Sequence, residues 1–185
     1  MKTQGILIAV PWELNQIGGV SQVVTNLSKV VHDDFLELQP IIMIPQWSNI
    51  TPKVNNNQGI TEIRQQLKPP CTESGNRFFT WLKFIIWFPV FFISMLYLKY
   101  KYNIKVINIH YPVITFYGLY LAAKLLRINI VTSFHGADVT TFQSMSKKIR
   151  KHFTAMLKMT NMFVCCSNSF LTIAKKTFEF LDSSN

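Results

Sequence analysis

At 185 residues the chain fits one domain with a sizeable core. It is 49% hydrophobic and 14% aromatic, with a mean hydropathy of +0.19. That is high for a soluble domain and points to membrane contact or to a surface lacking its partner. Nineteen Lys and Arg against nine Asp and Glu give a net charge of +10, which favours nucleic acid, anionic lipid or phosphorylated ligands. Cys71, Cys165 and Cys166 form neither an even framework nor a metal-ligand spacing. A disulfide scaffold is therefore excluded and a reduced, cytoplasmic setting is expected. The N-terminus has one Lys and a five-residue apolar run before Pro11, too little for a signal peptide.

The chain opens on a buried-strand pattern, Ile6 to Val10, followed by a loop that ends in Gly18-Gly19. Val20, Val23, Val24, Leu27, Val30 and Val31 then recur at helical spacing. A strand, a glycine loop and a helix starting on it make an anion-binding geometry, because the first turn presents unpaired N–H groups and the positive end of the dipole. The same pattern also describes a plain turn. Phe35 to Pro45 reads as a second strand, buried at Ile41 to Ile44. Gln46 to Arg77 is polar and punctuated by Pro and Gly, and is expected to be a long excursion with at most one short strand or helix.

Phe78 to Leu98 is a run of aromatic and aliphatic residues that, as a helix, reaches about 30 Å. Pro89 sits in its middle, and Asn76, Thr80, Lys83, Ser94 and Lys101 fall on one polar stripe. Three readings stay open: a helix lying in a membrane interface, a buried core helix and a bilayer span. The interfacial reading names Trp81, Trp87, Phe88 and Lys83 as membrane contacts.

Beyond it, strands and helices alternate. Strands are expected at Ile104–His110, Ile128–Phe134 and Asn161–Cys166, and helices at Val113–Arg127, Ser144–Met159 and Asn168–Leu181. Single helices between strands predict right-handed βαβ units and an α/β fold with a doubly wound parallel sheet. Such a sheet argues against a span, because strands on either side of the helix must join.

Ligands of an open parallel sheet bind outside the carboxyl ends of its strands. There the sequence places Asn15 with Gly18 and Gly19, His110-Tyr111-Pro112, His135-Gly136-Ala137-Asp138, and Ser167-Asn168. His135 can donate to a sugar hydroxyl or phosphate, act as a base, or tie down its loop. Asp138 can bind a hydroxyl or cap the next segment, and His110 can be a contact or a packed corner. The basic residues of Ser144–Met159 form a solvated helix face or a surface for anionic lipid. No G-x-S-x-G elbow, no G-x-G-x-x-G and no zinc pattern is present. Nucleic-acid binding lacks an aromatic-basic motif.

The Gly-Gly-Val loop, INIHYP, TSFHGAD and VCCSNS, in that order and spacing, resemble the N-terminal half of family 4 glycosyltransferases of GT-B fold. The resemblance implies a Rossmann-like domain, one half of a two-domain architecture, that binds the acceptor of a retaining transfer. The donor is a nucleotide-sugar, and neither a metal ion nor another cofactor is needed. Carried over residue by residue, His135 is catalytic and Gly18 and Gly19 approach the donor diphosphate. Asp138, His110, Asn15 and Ser167 are sugar or acceptor contacts. Glycan or lipid-linked acceptors of cell-envelope polysaccharide synthesis are implied, with the protein peripheral on the inner face of the membrane. The C-terminal donor domain of the family, with its glutamate pair, has no counterpart in residues 1–185. The expectation is half an enzyme: a truncated gene product, a fragment, or one part of a split transferase whose donor domain a separate chain supplies. The alternative is a non-catalytic, membrane-associated binding module, the remnant of such an enzyme.

Overall fold

A computed structural model describes residues 3–15, 18–57, 59–74 and 76–178. One seven-stranded sheet runs through it, with strands β1 (Gln4–Ala9), β2 (Leu38–Pro45), β3 (Lys53–Asn57), β4 (Ile60–Gln65), β5 (Ile104–His110), β6 (Asn129–Phe134) and β7 (Met162–Cys165). Their order is β3-β4-β2-β1-β5-β6-β7, parallel throughout except for the β3 edge. β1 is central, with Ile8 level with Ile42 on one side and Asn108 on the other. Leu7 to Val10 are fully buried because both faces of β1 are covered, so this run is continuously apolar rather than alternating.

Helix α1 (Gly19–Asp34) covers one face against Ile8, Val10, Ile42 and Ile44. Its buried line is Ser21, Val24, Ser28 and Val31, whereas Val23 and Val30 point outward. The valine face read from the sequence is thus rotated. Two serines take buried positions because each has a partner: Ser28 Oγ donates to the Val24 carbonyl and Ser21 Oγ accepts from the Trp12 indole.

Helices α2 (Arg77–Tyr102), α3 (Tyr117–Leu125), α5 (Lys147–Leu157) and α6 (Asn168–Thr177) contribute to the other, larger core. A short helix α4 (Ala137–Thr140) follows β6. A 3-10 turn, Ile114–Phe116, opens the segment expected to be one helix from Val113. Ser146 caps α5, its hydroxyl accepting from the Ile149 N–H, so α5 starts later than expected. Ser167 caps α6; the part of that expected helix beyond Phe178 lies outside the described residues.

The polar excursion after β2 is corrected by the structure, which builds two strands from it. β3 and β4 form a hairpin, and β4 extends the sheet parallel to β2. The signal was hidden because Thr61 and Gln65 occupy buried positions of β4. Gln39 Nε2 donates to Thr61 Oγ1, which donates to Asn56, and Gln65 Nε2 donates to the Ile50 carbonyl. Inward polar residues with partners erase the apolar alternation on which strand reading depends.

Helix α2 returns the chain from β4 to β5 across the sheet. It starts on Asn76, whose side chain accepts from the Phe78 N–H, and stops at Asn103, which takes the left-handed conformation (φ 50°). Phe84, Trp87, Phe91, Met95 and Leu98 face the core. Ser94, read as part of a polar stripe, is buried with them and donates to the Val90 carbonyl. By length and composition α2 could cross a membrane. The pairing of β1 with β5 rules that out, because strands before and after α2 share one sheet.

Candidate functional site

Chain order runs outward from β1 through β2 in one direction and from β5 through β7 in the other, so the sheet reverses between β1 and β5. At such a switch point the loops leaving the two strands splay apart and open a crevice at their carboxyl ends. Trp12, from the loop after β1, sends its indole N–H to Ser21 Oγ in the first turn of α1, 3.2 Å away. Its ring meets that of Tyr111, just after β5, edge to face with centroids 4.9 Å apart. Tyr111 has φ 53°, a costly conformation for a bulky residue, held by an N–H bond to the Ser133 carbonyl.

Beside this pair, His110 Nδ1 and His135 Nε2 share a hydrogen bond of 2.9 Å. His110 is 3% exposed, and its Nε2 is buried with no partner. Burial, reinforced by the neighbouring His135, pushes the His110 pKa down to about 4. His135 is also lowered by burial, against a smaller raising effect of the Asp138 carboxylate. Both rings are therefore neutral at pH 7, one donating the shared proton and the other accepting it. In either tautomer His135 keeps Nδ1 outside the bond, as a donor or as a lone pair.

The turn after β6 depends on Asp138. Its carboxylate accepts from the His135 N–H (3.0 Å) and the Gly136 N–H (2.7 Å). Gly136 adopts φ 135°, open to glycine and strained for other residues. Burial raises the Asp138 carboxyl, and the N–H bonds pull the other way. Asp138 is 2% exposed and bonded back into its own loop.

The histidines and Asp138 are thus brought together. Gly18 and Gly19 sit exposed at the start of α1, where a Cβ would meet nothing within 4 Å. Gly18 is in extended backbone, so neither packing nor conformation demands glycine there. Asn15 is exposed on the same loop, and Ser167 Oγ is engaged by the Phe170 N–H as the α6 cap. Trp81 and Lys83 are exposed and Phe88 is half-buried. Trp87 is a correction: it is 5% exposed, stacked on Phe91 with centroids 4.7 Å apart, and is a core residue rather than a membrane contact. Its inward turn follows from its place one turn after Phe84 and one before Phe91. Sequence reading places Tyr111 at this strand end but gives it no role, because its positive φ leaves no trace in composition. It missed Arg64, which forks onto both carboxylate oxygens of Glu13 and thereby anchors the loop after β1 to β4. Among the described residues no group of three or more His, Cys, Asp or Glu is placed to hold a metal ion.

The sequence matches the model of Glycosyltransferase Family 4 over residues 17–180. The chain belongs to that family. No curated protein sequence matches it. Among solved structures, the family 4 chain is similar to sucrose-phosphate synthase from Thermosynechococcus elongatus, with TM-score 0.61 and 15% identity over 95% of this chain and 45% of that one. It is similar also to a ugt transferase from Siraitia grosvenorii in complex with UDP, with TM-score 0.55 and 9% identity over 98% and 49%. A third similar structure is UDP-GlcNAc 2-epimerase from Methanocaldococcus jannaschii, with TM-score 0.53 and 10% identity over 97% and 42%. At these identities the likeness establishes the Rossmann-like fold of GT-B glycosyltransferases, and this chain spans less than half of each.

Proposed function

We propose that this chain is the acceptor-side, N-terminal half of a retaining glycosyltransferase. It moves a sugar from a nucleotide-sugar to a glycan or lipid-linked acceptor of the cell envelope, at the cytoplasmic face of a membrane. The observation that carries the reading is the neutral His135 ring at the switch point, with Nε2 bound to buried His110 and Nδ1 left over. A ring fixed in this way needs no reorganisation to hydrogen-bond a sugar hydroxyl or hold a proton. Asp138 fixes the backbone that presents it. Across the crevice, the open space at Gly18 and Gly19 lets a diphosphate approach the first-turn N–H groups of α1.

On this reading the remaining donor contacts come from protein beyond residues 1–185, as a further segment or a separate chain. Membrane attachment is supported by the outward face of α2, where Phe79, Trp81, Ile86 and Ile93 are exposed with Lys83. The test supplies a donor-binding domain in trans and measures turnover of a panel of nucleotide-sugars. His135→Ala should lower turnover about 100-fold or more. Parental turnover in that variant would remove His135 from the reaction.

A further inference from the structure

Beside the outward face of α2 lies a groove in which an apolar ligand could sit. Cavities of ≈ 590 and ≈ 410 Å³ share Pro70, Trp81 and His152 as walls and form one trough between the first half of α2 and helices α3 and α5. Its floor is Phe84, Phe88 and Leu121. Two polar side chains in the walls are already engaged: Asn76 accepts from the Phe78 N–H, and His152 Nδ1 donates to the Lys148 carbonyl at 2.9 Å. What those walls offer a visitor is therefore chiefly hydrocarbon and aromatic surface.

One flank of the trough carries a cation, Lys148, one turn before His152 on α5, whose Nζ donates to the Thr72 carbonyl at 3.0 Å. Lys151, Lys147, Lys158 and Arg150 follow round α5 away from the trough and line a separate depression that shares no residue with it. In positions 74–178 the one acidic residue, Asp138, is buried in its turn, and Glu73, just before them, accepts from the Ser146 N–H at the start of α5. An apolar trough with a cationic border, continuous at Trp81 and Ile85 with the exposed stripe of α2, matches an amphiphile with a hydrocarbon chain and an anionic head.

We propose that the α2–α3–α5 trough binds the hydrocarbon chain of a phosphate-bearing membrane lipid, with the head on the basic flank of α5. The proposal extends the membrane-side reading of α2 given above. Because α2, α3 and α5 all begin at the carboxyl edge of the sheet, the trough opens at the same edge as the crevice that holds His135. A lipid-linked acceptor could then be held by its chain while its sugar end is presented to the reaction.

The test titrates the 185-residue chain with octyl, decyl and dodecyl phosphate below their micelle thresholds, read by Trp81 fluorescence. Trp81→Phe identifies the signal. The expected result is saturable binding of one ligand per chain, tightening about threefold to fourfold per added methylene. Inorganic phosphate alone should give no shift. Filling the trough with Leu121→Trp, or with Ile85→Phe as a second route, should weaken dodecyl phosphate about tenfold or more. The outward face carrying Ile86 and Ile93 is left intact by both, so flotation with vesicles should persist. Absence of a saturable Trp81 shift in the parent, no gain with chain length, or unchanged affinity in both folded variants overturns the proposal. If neither variant folds, the chain-length series on the parent decides alone. Alkyl phosphate binding without flotation would uphold the trough and overturn only the membrane-surface reading.

Discussion

His110 sits where an imidazolium could not be solvated: 3% exposed, with its remaining ring nitrogen facing no partner and a second imidazole against Nδ1. Its folded pKa of about 4 against about 6.5 in an unfolded chain fixes the sign of its effect on stability. Above about pH 6.5 both states hold it neutral and its contribution is fully present. Between about pH 6.5 and 4 the unfolded chain takes up a proton that the folded one refuses, and stability is lost. The loss is on the order of 3 kcal/mol across that window. His135, lowered in the same sense, adds to it; Asp138, whose folded pKa is raised, offsets part of it at the acidic end. Urea unfolding at neutral and mildly acidic pH should therefore show a falling midpoint in the parent. His110→Gln, which cannot titrate, should show a shallower fall. Parallel pH profiles for the two would mean that His110 is protonated as readily in the fold as outside it.

At the scale of elements, what the sequence disclosed depended on where each residue's partner lay. The strands β1, β2, β5 and β6 and the three later helices are legible because their apolar spacing and caps are local. The hairpin β3–β4 is not, because Thr61 and Gln65 are explained only by Gln39, Asn56 and Ile50, brought in by the fold. Helix α2 was legible in extent but not in orientation. Nearly every position is apolar, so the buried line through Phe84, Trp87 and Phe91 is chosen by its neighbour α3. Gly118 of α3 makes that choice visible, since a Cβ there would lie 2.8 Å from Trp87 Cζ3. Trp87 is wedged against Phe91 and cannot withdraw freely. Gly118→Val should lower the unfolding free energy by about 1–3 kcal/mol, through overpacking at the α2–α3 contact. A denaturant midpoint equal to that of the parent would show that the two helices can part at no cost. Gly136→Ala is a useful comparison, because its φ of 135° strains the backbone in open space and leaves the helix contact untouched.

For the molecule as a whole, the doubly wound sheet and the four strand ends at its carboxyl edge were readable, whereas the His110–His135 bond was not. It joins residues 25 positions apart through a register in which His110 lies level with Ser133, and only the paired sheet fixes that. The net charge of +10 has a similarly global consequence. Positions 74–178 carry fourteen Lys and Arg and a single acid, which is buried, so nearly all the charge in the half of the chain that includes α2 and α5 is positive. Near an anionic bilayer each such charge is worth about 1 kcal/mol and fades within a Debye length. The apolar face of α2 gains instead from burial, which salt does not screen. The two contributions can therefore be separated. Raising salt from about 0.05 M to about 0.5 M should strip most of the chain from vesicles rich in anionic lipid, leaving a residue equal to its binding to neutral vesicles. Replacing Ile86 and Ile93 by Asp should remove that residue as well. Binding that ignored salt altogether would assign the attachment to α2 alone and leave the basic surface for another anionic partner.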